Sequence, residues 1–448
     1  MGVLLLTRYP AKGICPERST AAEGFFILAS RHSSLATFLI PSGAIPSSIA
    51  KYTVPHIALY AAALSLLIWL SLAFARGAFW RLRRVETDLS ATEDYGTPSW
   101  PRVAILVPAR DEAETIAACV ASLARQDYPG DFSILVIDDH SADGTADLAR
   151  AAAVASGAPD RIRIHAASGL PPGWTGKLWA LNEGILAASA NPQDAPAFYW
   201  LTDADIVHAP DTLRRLVARA ERDSLGLISL LVLLRTRSLP ERLLIPAFLF
   251  FFLKLYPPRW VANPRARTAG AAGGCVLLRR TALEDMGGLA AVRADVIDDC
   301  AIARAVKTRG GGIWLGYTRA SQSLRSYSHF AEIRDMIART AFTQLRYSPL
   351  LLLGALAGMF FTYLLPLLLL LHPQPAVRYT ALATWLLMSL LYLPSIRFFR
   401  LNIFWIFSLP LAALYYTYAT LLSALRYWMG RGGQWKGRAQ AVKNGRPA

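Results

Sequence analysis

Hydrophobic positions along this chain follow two regimes. Residues 57–75 form an uncharged run about 19 residues long, enough for a helix to cross a bilayer core. Three more long apolar runs, residues 349–371, 379–396 and 401–425, fill the last hundred positions. Between these extremes the pattern is that of a soluble domain. Short apolar runs at 103–107, 134–137, 163–165 and 198–201 alternate with helix-like stretches at 114–125, 145–155 and 178–190. Such alternation predicts buried strands joined by helices, hence βαβ units around a mostly parallel sheet. Sheets of that kind bind ligands beyond the carboxyl ends of their strands.

The same pattern sets the expected organisation. Residues 1–50, where Pro, Gly and Ser interrupt short apolar pieces, are expected as a poorly ordered extension; they lack the unbroken apolar core of a signal peptide. Residues 100–347 would be the α/β domain, 349–425 three membrane segments and 426–448 a basic tail. Residues 243–256 are very apolar but too short to span easily. They are expected as a helix in the membrane interface, with a core helix as the alternative.

Composition supports a membrane protein. The 448 residues are 54% hydrophobic but only 17% charged, against about a quarter charged in average soluble chains. That excludes intrinsic disorder and argues against a purely soluble enzyme. The formal net charge is +16, no acidic residue follows Asp335, and nine Lys or Arg lie between Arg378 and Arg446. These flank apolar runs as membrane-edge charges do, unlike the basic stripes of a nucleic-acid-binding domain. Arg76, Arg81, Arg83 and Arg84 after the first span place the α/β domain in the cytosol. Three later crossings would then put the basic tail on the far side, so one run is expected to be re-entrant or interfacial. Cys15, Cys119, Cys275 and Cys300 are scattered, without a zinc-ribbon or disulfide pattern.

Candidate chemistry gathers at the strand ends. The first strand runs into Pro108, Arg110, Asp111 and Glu112, the second into Asp138, Asp139, His140, Ser141 and Asp143, and the third into Asp203 and Asp205. A carboxylate after the second strand can accept a hydrogen bond from a nucleotide base, or simply build an Asx turn. Two carboxylates two residues apart can hold one divalent ion, Mg2+ or Mn2+, while substrate phosphates complete its shell. The loop before residue 178 ends in Gly176 and Lys177, suited to phosphate, but the P-loop spacing is absent. Gly270, Gly273 and Gly274 would admit a substrate close to the backbone, or else form a simple turn before a strand. Asp298 and Asp299 open a helix-like stretch, one as a possible cap and the other as a general base. Arg339, Gln344, Arg346 and Tyr347 close the domain as diphosphate contacts or interface anchors.

Together these residues resemble the family-2 glycosyltransferases, inverting enzymes of the GT-A type. The likeness rests on residues 107–112 (VPARDE), Asp138-Asp139, Asp203-x-Asp205 and Asp298-Asp299, across roughly residues 100–347. It implies an α/β, Rossmann-like nucleotide-sugar-binding domain between N- and C-terminal transmembrane helices. By the same resemblance, Asp138 or Asp139 contacts the base, and Asp203 and Asp205 bind metal and diphosphate. Pro108, Arg110, Glu112 and Lys177 complete the nucleotide-sugar site. Asp299 matches the family's catalytic base, with Asp298 where the motif has Glu; Gly273, Gly274 and Arg346 serve the acceptor. More narrowly, LPPGWTGKLWALNEG from Leu170, GGCVLLRR at 273–280, DVIDDCAIARAVKTRGGG from Asp295 and QWKGR at 434–438 resemble the hopanoid-biosynthesis-associated glycosyltransferases. That likeness implies a bacterial inner-membrane enzyme moving a sugar from a nucleotide-sugar donor, UDP-linked, to a lipid such as a hopanoid. Two alternatives remain open, a processive polysaccharide synthase and a non-catalytic scaffold with a nucleotide-sugar fold. Against the synthase, Thr343 stands where its QxxRW motif has Gln.

Overall fold

The computed structural model describes residues 47–82 and 100–430, with two-residue strands at Gln434–Trp435 and Arg438–Ala439. Most of the expected N-terminal extension and of the basic tail lies outside the described residues.

Eight strands form one sheet: β1 Val103–Ala109, β2 Phe132–Asp138, β3 Ile162–Ala166, β4 Phe198–Leu201, β5 Ile206–His208, β6 Leu225–Leu233, β7 Val276–Arg279 and β8 Gly312–Ser323, in the order β3-β2-β1-β4-β7-β6-β8-β5. All seven residues of β1 are buried, which is why its sequence is a continuous apolar run rather than an alternating one. β3, β2, β1 and β4 are parallel, as the strand-helix alternation predicts. Beyond β4 the sheet departs from that expectation. β7 runs antiparallel to both β4 and β6, and β5 antiparallel to β8. The reversal has a local consequence. Leu201, the last residue of β4, pairs with Val276, the first of β7, so the segment entering β7 meets the segment leaving β4. Gly273 and Asp203 are thereby brought together.

The longer helices begin with α1 Ser47–Phe74, α2 Ile116–Ala124, α3 Thr145–Ala155, α4 Gly176–Ala188, α5 Thr212–Arg222, α6 Leu239–Leu255 and α7 Asp298–Thr308. They are followed by α8 Phe330–Gln344, α9 Pro349–Met359, α10 Pro375–Phe398 and α11 Leu409–Trp428. Helix α5 shows the usual logic, burying Leu213, Leu216, Val217 and Ala220 on one stripe with Arg214, Arg215 and Arg219 half-buried beside it and Arg222 exposed. Helix α6 starts at a capping box, with Ser238 Oγ accepting from the Glu241 N–H and Glu241 returning the bond to the Ser238 N–H. It buries Leu244, Ile245, Ala247, Leu249, Phe250 and Leu253 and packs on α8, α10 and α11. The interface-helix expectation for residues 243–256 therefore gives way to its alternative. Apolar faces all round mark a helix enclosed by protein.

Among the described residues, four helical segments are long and apolar enough to span a membrane: His56–Phe74, Pro349–Leu369, Pro375–Phe398 and Ile403–Trp428. The second contains a π turn at Phe360–Leu364. Pro366 has no N–H for the Thr362 carbonyl, and the Trp69 indole N–H of α1 donates to it instead, at 2.8 Å. Ser65 does the same for the Phe361 carbonyl. Two polar side chains on α1 thus satisfy the freed backbone, as a spanning helix requires.

Candidate active site

The described structure holds a cavity of about 1080 Å³ at the carboxyl end of β4. Glu112, Lys177, Asp203, Asp205, Asp298, Asp299 and Arg325 line its polar end. Phe248, Phe251 and Phe252 of α6, Met336 of α8, and Leu356 and Met359 of the second span line its apolar arm.

At the polar end every carboxylate has a defined partner. Lys177, one residue into α4, lies 2.7 Å from Asp203 Oδ1 and 3.4 Å from Asp298 Oδ2. Burial works against its ammonium, but Asp203, Asp298 and Asp299 outweigh that and raise its pKa. Asp203 is held below the usual carboxylate range, the Lys177 charge overriding the cost of burial. Arg325, two residues past β8, bridges Asp205 Oδ2 at 3.1 Å and Glu112 Oε1 at 2.9 Å. It joins the ends of β1 and β4 through a chain separation that no local motif reveals.

Asp299 differs from its neighbours. It has no cation partner at salt-bridge distance among the described residues; instead Oδ2 accepts from the Gly273 N–H at 2.8 Å and Oδ1 from the Cys300 N–H at 2.7 Å. Burial, then the charge of Asp298, push its pKa up to about 7, overcoming Lys177 and the two N–H groups. A carboxyl poised there can exchange a proton near neutrality.

Several expected site residues meet here: Pro108, Glu112, Lys177, Asp203, Asp205, Gly273, Gly274, Asp298 and Asp299 all line the cavity. Gly273 sits inside the ion cluster, where a Cβ would come 3.0 Å from Lys177 Nζ and 3.5 Å from Asp299 Oδ2. Gly274 faces Val232 and Ile206 instead. At Gly270 a Cβ would strike the Tyr256 ring at 2.6 Å, so this glycine accommodates a side chain of the protein rather than a substrate.

Arg110, Asp138, Asp139 and Arg346 lie outside that lining. Asp139 is buried; its carbonyl accepts from Arg110 at 2.6 Å and its carboxylate lies 3.5 Å from the same guanidinium. Asp138 has no such guanidinium at salt-bridge distance among the described residues, and its buried Oδ1 accepts no hydrogen bond there. An orphaned carboxylate oxygen suits a ligand N–H. Arg346 is exposed, in a left-handed conformation after α8, while Tyr347 stacks on Tyr427. Of the residues expected alongside Arg346, Arg339 and Gln344 of α8 do line the cavity. Sequence reasoning missed Arg325 altogether and treated Tyr256 only as the end of an apolar run.

A metal can be tested against this donor set. Among the described residues no three His, Cys, Asp or Glu converge on one point, so an all-protein cage is absent there. Mg2+ and Mn2+ sites commonly use one or two carboxylates and take the remaining oxygens from substrate phosphates. Asp203 and Asp205 fit that second pattern.

The sheet, the carboxylate-lined cavity at its strand ends and the flanking apolar helices make up an α/β domain of GT-A-like fold. Glycosyltransferase-like family 2 matches residues 101–343, more than half the chain, and the protein belongs to that family. An N-acetylglucosaminyltransferase of Rhizobium leguminosarum bv. viciae is 30% identical over 37% of this chain. Another from Azorhizobium caulinodans is 42% identical over 13%. The matched segments span 36% and 15% of those relatives' own lengths. Among solved structures, the mannosyltransferase PcManGT of Pyrobaculum calidifontis, in complex with GDP-Man and Mn2+, aligns over 81% of this chain and 99% of its own. That alignment has 18% identity and a TM-score of 0.44.

Proposed function

We propose that this protein transfers one sugar from a nucleotide-diphosphate sugar to the hydroxyl of a membrane lipid at the cytosolic face of a bacterial inner membrane. The observation that carries the reading is that one cavity joins charged and apolar walls. Its polar end has the acids and cations a sugar diphosphate requires, and its apolar arm is walled by α6 and the C-terminal spans. A soluble acceptor would have no use for that arm.

The acceptor O–H gives its proton to Asp299 as its oxygen bonds the anomeric carbon. The bond from that carbon to the diphosphate breaks with its electron pair leaving on oxygen, so configuration inverts. Lys177 meets the charge that develops there. Asp203 and Asp205 would hold Mg2+ or Mn2+ together with diphosphate oxygens, and the ion, when bound, supplies further neutralisation. Asp138, through its orphaned oxygen, takes the base N–H. Asp298 acts on Asp299 as a neighbouring charge, while Pro108, Arg110 and Glu112 shape the donor side and Gly273 the acceptor side. The first donor to try is UDP-N-acetylglucosamine, after the sugar in the names of the rhizobial relatives. A hopanoid is the first acceptor to try, on the sequence resemblance.

Lipid mass spectrometry on deletion cells, complemented with wild type or Asp299→Asn, tests the reading. The expected result is a sugar-bearing lipid restored by wild type and reduced about 10²–10⁴-fold by the variant. Because Asp299 must be ionised, transfer by the purified enzyme should rise as pH rises through about 7. Equal glycolipid from both complemented strains would sink the catalytic assignment. Loss of an extracellular polymer with lipids unchanged would favour a polysaccharide synthase.

A further inference from the structure

Tyr256 follows the last residue of α6, on the wall where the apolar arm meets the carboxylates. Its ring packs beside Phe252, centroids 5.1 Å apart, and lies against Gly270. Its hydroxyl accepts a hydrogen bond from Gln344 Nε2 at the end of α8 and lies beside the Cys300 thiol. Both partners line the cavity, so this bond ties the carboxyl ends of two helices across it.

The same short segment that carries the ring also carries the base. Gly270 leaves space for Tyr256, the Ala271 carbonyl accepts from the Cys300 thiol at 3.4 Å, and the Gly273 N–H binds Asp299. The phenol is thereby held in register with the Asp299 carboxylate. Burial, and the neighbouring Cys300 and Asp299, raise the phenol's pKa, so it keeps its proton at physiological pH. Gln344 donates to the phenol oxygen, and the phenol O–H, which has the Cys300 sulfur beside it as a weak acceptor, can turn to a stronger oxygen acceptor.

An attacking hydroxyl makes three demands on its surroundings. Its proton needs a base, one lone pair must face the anomeric carbon, and the other needs a donor to fix the orientation. Asp299 meets the first demand. Resting on the glycosyl-transfer reading above, we propose that Tyr256, braced by Gln344, meets the third: it donates a hydrogen bond to the acceptor oxygen and aligns it between Asp299 and the donor sugar. The acceptor proton still passes to Asp299, and the phenol is unchanged over the cycle.

The test uses the full-length protein in vesicles of lipid extract from the deletion strain. UDP-N-acetylglucosamine, UDP-glucose and GDP-mannose serve as probe donors. Glycolipid and free sugar are counted separately. Tyr256→Phe keeps the ring on Gly270 and removes only the hydroxyl. It should slow glycolipid formation about tenfold, leave the donor KM within about twofold, and raise the share of sugar lost to water. Gln344→Leu should move the same partition in the same direction by less. A partition and rate like wild type in Tyr256→Phe overturn the proposal. So does an equal fall of both products with a raised donor KM, which would mean a merely structural role. If wild type consumes no probe donor, the transfer reading itself falls and the role of Tyr256 falls with it.

Discussion

Two clusters of acidic residues follow buried strands in this protein, and they are held in opposite ways. Beyond β1 and β2, the Asp111 carboxylate accepts from the Ala142 N–H and Asp143 from the Ala113 and Thr145 N–H groups. Asp111 and His140 take up left-handed backbone conformations there, a sign that the loops are over-determined by these bonds. Around the end of β4, by contrast, Asp203 and Asp205, together with Asp298 from the start of α7 and Glu112 from beyond β1, are satisfied by the tips of Lys177 and Arg325. Backbone donors cannot leave without unfolding the loop. A lysine or arginine tip can turn to a phosphate and release its carboxylate to another partner. The same residue type at equivalent strand ends therefore builds a frame in one place and an exchangeable site in the other.

The largest effect expected from this contrast is at Lys177. Lys177→Met strands Asp203 and Asp298 without their cation, and should cost about 3 kcal/mol of stability along with most of the transfer activity. Thermal unfolding in detergent would reveal the loss. A restored melting temperature with Mn2+ and nucleotide present would sharpen the view that these acids exchange one cationic partner for another. Asp138 is next, as the exception inside the frame. Asp138→Ala removes a buried oxygen that nothing in the described protein satisfies. Stability should hold while the donor KM rises about tenfold; an unchanged KM would return Asp138 to the frame. Smallest is Asp143→Ala. Against the penalty of burial, Thr145 and backbone N–H groups hold this carboxylate below its usual pKa, but it is largely exposed. The expected cost is under about 1 kcal/mol, with donor KM unchanged in a titration of initial rates. A large KM effect there would break the comparison.

Much of the frame was legible in the chain. Strand β4 and helix α3 begin and end where the apolar periodicity puts them. The acidic strand ends, the Gly-rich loop and the Asp298-Asp299 pair pointed to Glu112, Lys177, Asp203, Asp205, Asp298 and Asp299, which share one cavity, whereas Arg110, Asp138, Asp139 and Arg346, expected with them, lie outside its lining. These signals are local, since a buried strand must be apolar and its ligand-facing end need not be. Arg325 and Tyr256 carry no such signal. Each is a single residue in an unremarkable loop, and its role comes from contacts far away in sequence. Helix α6 was ambiguous for a related reason. An apolar stretch of its length reads alike against lipid and against protein, and only the packing of Phe250 and Phe251 on Trp69, Tyr392 and Tyr416 decides it.

The sequence by itself determined the membrane-flanked α/β plan, the family and the acids at the strand ends, because hydrophobic period and strand-end polarity are written in neighbouring residues. Tertiary structure alone decided the antiparallel return of β7, which carries Gly273 to Asp203 and Asp299. It also decided which carboxylates face backbone and which face a movable cation, and the joining of the polar site to an apolar arm. Each of these depends on segments tens to hundreds of residues apart meeting in space, and no local pattern encodes that meeting.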